Sequence, residues 1–187
     1  MSVTLADAFG WARQTLGGES DTMDEASALA AVEQAKAQMA AITSAGEEGA
    51  RADASARATD DTKKQAFFDA VHIIAAADGV VSQSEQSKIA AGLGAILGAL
   101  DETAIHDGLA GAKAFFDENG LEATASAIAT AVPELEGRSS LLVIASAVAW
   151  LDRGVGTKEG LALQALARAF DIPIHDLHKL MAVGKVV

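Results

Sequence analysis

Residues 67–97 read FFDAVHIIAAADGVVSQSEQSKIAAGLGAIL, and residues 141–171 read LLVIASAVAWLDRGVGTKEGLALQALARAFD. A shift of 74 positions lays Phe67 on Leu141, Ile74 on Val148, Asp78 on Asp152, Val81 on Val155, Glu85 on Glu159, Ile89 on Leu163 and Ile96 on Phe170. Each stretch has apolar residues at helical spacing, then a short loop opening on aspartate, then a second helical period. Phe67, Val71 and Ile74 form one stripe; Ile89, Leu93, Ile96 and Leu100 a second; Leu141, Ile144, Val148 and Leu151 a third; Leu163, Leu166, Ala167 and Phe170 a fourth. Neither hairpin buries its apolar face alone, so the pair is expected to pack about a pseudo-two-fold axis.

Outward from this duplication, the remaining sequence is helical too. The 187 residues include 43 alanines and only two prolines, and no tyrosine. Alanine loses no side-chain entropy in a helix, and the alternation that marks strands is scarce. Two further helices are predicted at about 101–117 and 121–132, separated by Glu118-Asn119-Gly120 and ended by Pro133. Upstream lie a short helix carrying Val3, Leu5, Phe9 and Leu16, and a longer one from about Asp24 to Ser44. In the longer helix, Ala28, Val32, Ala35, Met39 and Ile42 make a seam able to dock another helix. Ser44 to Asp61, SAGEEGARADASARATDD, has no large apolar residue and reads as a linker or frayed exposed helix. The expected fold is therefore all-α: a compact helical bundle of residues 63–187 containing the two repeats, with a helical extension and acidic linker over 1–62.

Charge and composition narrow the function. With 26 acidic against 14 basic residues the formal net charge is −12, and the longest basic run is Lys63-Lys64. Phosphate binding needs clustered Lys and Arg, so nucleic acid is not an expected partner; cations or basic protein surfaces are. The absence of cysteine excludes disulfides, thiolate zinc sites and a cysteine nucleophile. Met1 to Asp7 lacks the basic and apolar regions of an export signal. The longest apolar runs, Ile89 to Leu100 and Leu141 to Leu151, are shorter than the roughly 20 residues that span a bilayer. Cytoplasmic residence is expected, with peripheral contact at the inner face of the membrane left open.

The chemistry-bearing residues are Asp78 and Glu85 in the first loop and Asp152 and Glu159 in the second. Two readings of them stand side by side. Ser82 followed three residues later by Glu85 is a capping box, with Gly156 and Glu159 in the same places of the second copy. In this reading Asp78-Gly79 closes the preceding helix, Gly79 being left-handed, while Val80 and Val81 pin the turn. The aspartates fit less well, because a carboxylate at a helix C-terminus faces the negative end of the macrodipole. Loop N–H groups or a bound cation would offset that. Oxygen ligands without thiolate indicate Ca²⁺, Mg²⁺ or Mn²⁺. EF-hand spacing fails, since the twelfth residue from Asp78 is Ile89, so a metal site requires Asp78 and Asp152, with the glutamates, to meet between the repeats.

The element Ala76-Ala77-Asp78-Gly79-Val80-Val81-Ser82-Gln83-Ser84-Glu85 resembles the signature of the TerB-like tellurite-resistance family and of the related N-terminal domain of DjlA co-chaperones. The resemblance spans about residues 63–183 and includes Ala165-Leu166-Ala167-Arg168-Ala169-Phe170-Asp171-Ile172. Arg153 stands where the second copy would carry a glycine. The resemblance implies an all-helical domain with an acidic, cation-sensing patch acting in stress-response assemblies.

Other constellations are weaker. His175 and His178 share a face of the last helix beside Asp171 and Asp176, too few ligands for a closed zinc site. His72 lies among apolar residues and reads as an interior histidine, and His106 as surface. Gly92, Gly94 and Gly98 keep helical period and lack a following Lys-Ser or Lys-Thr, which predicts close helix packing and not a phosphate loop. No nucleophile–base set assembles, so no catalysis is expected. Two functions remain: a cation-binding module, or a structural adaptor whose loops are caps and whose N-terminal helix, through the Ala28–Ile42 seam, docks a protein partner or a second copy.

Overall fold

The computed structural model describes residues 3–17, 23–42, 62–79, 81–98, 102–152 and 155–185. Among them are eight helices and no strand: α1 (Leu5–Thr15), α2 (Glu25–Ile42), α3 (Thr62–Ala75), α4 (Gln83–Leu97), α5 (Glu102–Ala131), α6 (Leu135–Asp152), α7 (Thr157–Ala169) and α8 (Ile174–Gly184). The all-α reading holds. Residues 44–61, Val80 and Leu100 lie outside the described set, as do the side chains of Leu97, Glu102 and Asp152.

The apolar run at 141–149 explains the architecture. Every residue from Leu141 to Ala149 is buried, which a helix achieves only when enclosed on all sides. α6 is that central helix, packed by α1, α3 and α8 with smaller contributions from α2, α4 and α7. α3 pairs with α5, and α2 with α4. No described helix is long and apolar enough to cross a membrane.

Local chemistry accounts for the helix boundaries. Thr4 opens α1 with a capping box, its hydroxyl accepting from the Asp7 N–H at 3.1 Å while its own N–H donates to the Asp7 carboxylate at 2.9 Å. The two helices expected around Gly120 are both present within α5 and meet at a kink: Gly120 has φ 74° and ψ 179°, a conformation only glycine takes readily. The Asn119 side chain donates to the Phe115 carbonyl at 2.8 Å at the end of the first half.

Two arginines close helix C-termini from elsewhere in the chain. Arg13 of α1 donates through Nε and Nη2 to the Ile96 carbonyl near the end of α4, at 3.2 and 3.0 Å. Arg138 of α6 donates to Val132 at 2.8 Å, Ala129 at 2.9 Å and Phe170 at 3.1 Å, tying together the ends of α5 and α7. Terminal carbonyls lack intrahelical partners, and a guanidinium supplies donors and the favourable charge together.

α1 and α2 share one hydrophobic cluster with the rest of the chain. The α2 seam forms as expected, with Ala28, Val32, Ala35 and Met39 buried and Ile42 half-buried, but its partner is α4 of the same chain. The expectation that this seam docks another protein or a second copy is thereby corrected. Met39 of α2 packs against Gly92 of α4, where a Cβ would lie 3.0 Å from its Sδ.

The α8–α6 crossing is equally tight. A Cβ at Gly184 would lie 2.7 Å from the Val143 carbonyl oxygen and 3.0 Å from the Ala147 nitrogen, both backbone atoms that cannot rotate away. Gly184→Ala is expected to cost about 2 kcal/mol through overpacking, read as a lower midpoint in urea unfolding with an unchanged slope. A midpoint equal to wild type would show that α8 shifts freely.

Candidate functional site: the cleft between the two loops

The first loop begins where α3 ends. Gly79 has φ 155°, in the positive region that favours glycine, and the turn is closed by Gly79 N–H to Ala76 O at 3.2 Å. Val81 is buried and pins the turn, as expected. Ser82 then caps α4: its hydroxyl accepts from the Glu85 N–H at 3.2 Å, and the Glu85 carboxylate accepts from the Ser82 N–H at 2.8 Å. The capping box read from the sequence is fully formed.

α7 opens on an extended N-cap residue as α4 does, without the side-chain cap. Gly156 is the N-cap of α7 with no side-chain hydrogen bond, and Glu159 is the third helical residue, as Glu85 is in α4. The Glu159 carboxylate folds back over Gly156, where a Cβ would meet its Oε2 at 2.6 Å. α4 begins at Gln83 and α7 at Thr157, so both loops deliver their helices at the 74-residue offset.

Asp78, Glu85 and Glu159 line one cleft of about 60 Å³. Its walls are Ile74, Ala75, Val148, Ala149, Ile89, Met39 and Lys88. Ile74 with Val148, Ala75 with Ala149 and Glu85 with Glu159 are pairs 74 positions apart, so equivalent faces of the two repeats meet here. Asp78 is exposed and the glutamates are half-buried. Asp152 closes α6; its carboxylate lies outside the described set, and with it the expected meeting of Asp78 and Asp152.

A cation does stand at the first loop. Lys158 Nζ donates to the Asp78 carbonyl at 3.1 Å, linking the second loop to the first. This places positive charge at the negative end of α3, the role the sequence reading left to loop N–H groups or an ion. Lys88 adds a second ammonium to the lining. Among the described residues no three of His, Asp and Glu gather closely enough to hold a metal ion. Glu85 is already engaged in its cap, so an ion here would require movement of Asp78, Glu85 and Glu159.

Lys88, Lys158 and Met39 were not legible as site residues. The two lysines each sit near a glutamate of the repeat, a pattern common on solvated helices. Met39 belongs to a helix whose placement depends on tertiary packing.

The histidines fall as expected. His175 and His178 are exposed on α8, with His175 Nε2 at 3.1 Å from an Asp176 oxygen; His106 is exposed; His72 is buried. Gly92 serves close packing, since a Cβ there would lie 3.0 Å from Met39 Sδ. No family model matches the chain, and comparison with curated proteins and with solved structures gives no match.

Proposed function

We propose that this chain is a non-enzymatic, TerB-like module of the stress-response, tellurite-resistance type, that the cleft between its loops receives a divalent cation, and that it works in a protein assembly in the cytoplasm. The observation that carries this is the convergence of Asp78, Glu85 and Glu159 from two sequence-related loops on one cleft. Walls made of residues 74 apart are what a pseudo-two-fold axis through the cleft would produce. Oxygen donors without sulfur suit Ca²⁺, Mg²⁺ or Mn²⁺, with Asp152 the fourth carboxylate by its place in the repeat. The cleft's size accords with an ion and a few waters, being far below the roughly 300–1,000 Å³ of small-molecule pockets. The resemblance of the first loop to the TerB-like signature supports the same reading.

A second reading, a structural adaptor, is favoured by the capping box, which is complete without any ion. Its docking surface would lie elsewhere than the α2 seam; among the described residues Leu29, Leu135, Leu161 and Ile174 are large apolar side chains left exposed.

Thermal unfolding in chelator and then in excess Ca²⁺, Mg²⁺ or Mn²⁺ separates the two. A ligand at a hundred times its Kd adds about 2.7 kcal/mol, which at this chain length is a rise of roughly 5–10 °C. One ion is expected to give that rise in wild type, and Asp78→Asn with Asp152→Asn to abolish it, as is Glu159→Gln, which leaves the Ser82 cap intact. No rise with any ion would leave the loops as caps and the adaptor as the function.

A further inference from the structure

We infer that α2 is a detachable strap: it opens from the bundle as a unit, and in doing so lifts Met39 off the cleft between the two loops. The regulatory role rests on reading that cleft as a recognition site.

The inference begins with what holds α2. Its buried side chains are Ala28, Ala31, Val32, Ala35 and Met39, three of them alanines, while Leu29, Glu33, Gln34, Ala37 and Ala40 face solvent. The shorter α3 buries nine residues, including Phe67, Phe68, Ile73 and Ile74. Hydrophobic holding force follows apolar area removed from water, and alanine contributes least. An element with so little buried apolar surface opens at lower free energy than the core around α6.

The long side chain that α2 does bury is placed at the cleft. Met39 lines it with Ile74, Ile89 and Val148, and its Sδ rests against α4 at Gly92, where no Cβ intervenes. Lifting α2 enlarges the cleft by the volume of this side chain and bares apolar wall beside Asp78, Glu85 and Glu159. The acidic rim and apolar wall already share the cleft with α2 in place; opening α2 widens that wall, so a ligand that uses the added apolar surface would link occupancy of the cleft to the position of α2.

The chain has no cysteine, so Met39→Cys introduces a unique thiol whose labelling by an aromatic disulfide reagent reports opening; Val143→Cys, in the fully buried centre of α6, reports global unfolding. In chelator, the Met39→Cys thiol is expected to react at least about ten-fold faster than the Val143→Cys thiol, as sub-global opening requires. Equal rates, both following global unfolding, would overturn the strap. Amide hydrogen exchange on the unmodified protein gives the same decision without a substitution: α2 amides exchanging about ten-fold faster than those of α6 support it, and equal protection overturns it. Neither measurement depends on an ion. If fast labelling persists and no ion alters it, the strap stands and the cation reading fails separately.

Discussion

Lowering the pH from 6.5 to 4 is expected to remove about 3 kcal/mol of folding stability through one residue, His72. Its side chain is 3% exposed on the inner face of α3, edge-on to Phe116 with ring centroids 5.5 Å apart. Burial pushes its pKa down from 6.5 to about 4; Asp117 opposes the shift and Lys113 adds to it. The unfolded chain therefore takes up this proton at a higher pH than the folded one. Because the folded pKa is the lower, the contribution is complete above pH 6.5 and is lost progressively as pH falls towards 4. Hydrogen-bonded carboxylates act in a lower window. Asp7, Asp24, Glu134 and Asp176 have pKa values lowered chiefly by hydrogen bonds from Thr4, Ser27, Lys63 and Lys179 respectively, and their contributions decline below about pH 4.5. Urea unfolding of wild type and His72→Leu at pH 7.5, 5.5 and 4 checks this: the variant's stability should be nearly flat between pH 6.5 and 4.5 where wild type falls. Parallel curves would place the titrating group elsewhere.

Arg138→Ala is expected to lower stability by about 3–4 kcal/mol, a fall in melting temperature of roughly 10 °C. The guanidinium is shared by three carbonyls on two helix ends, and its Cζ lies 5.9 Å from the centroid of the Phe170 ring. Removing it leaves the Ala129, Val132 and Phe170 oxygens short of a donor and takes away the positive charge that two helix dipoles share. Arg138→Lys retains charge but cannot present a planar fork to three acceptors, so about half the loss should remain. Melting curves of the two variants test the order wild type, Lys, Ala. A lysine variant as stable as wild type would reduce the role to charge alone.

The Ser82–Glu85 box and the apolar stripes were legible because each depends on residues within a few positions of one another, whose geometry a helix sets by itself. The break at Gly120 was legible for the same reason, and so was the burial of His72 among Val71, Ile73 and Ile74. Arg138 was not. Three residues after Leu135 it looks like any surface arginine, and its acceptors lie at Ala129, Val132 and Phe170. The α2 seam was visible as a seam, yet nothing local says whether α4 or another chain fills it, since a stripe of alanines fits many small-residue surfaces.

The sequence by itself determined an all-helical protein, the apolar stripes of its helices, the Ser82–Glu85 cap and the recurrence of an Asp-to-Glu loop element 74 residues apart. These follow from periodicity and capping, whose physics is short-ranged. Only the tertiary structure decided that Asp78, Glu85 and Glu159 line one cleft, that Lys158 of α7 meets the Asp78 carbonyl, and that Met39 of a distant helix forms part of the wall. Those juxtapositions depend on how six other helices share the surface of α6, and close packing of side chains across the whole bundle sets that arrangement.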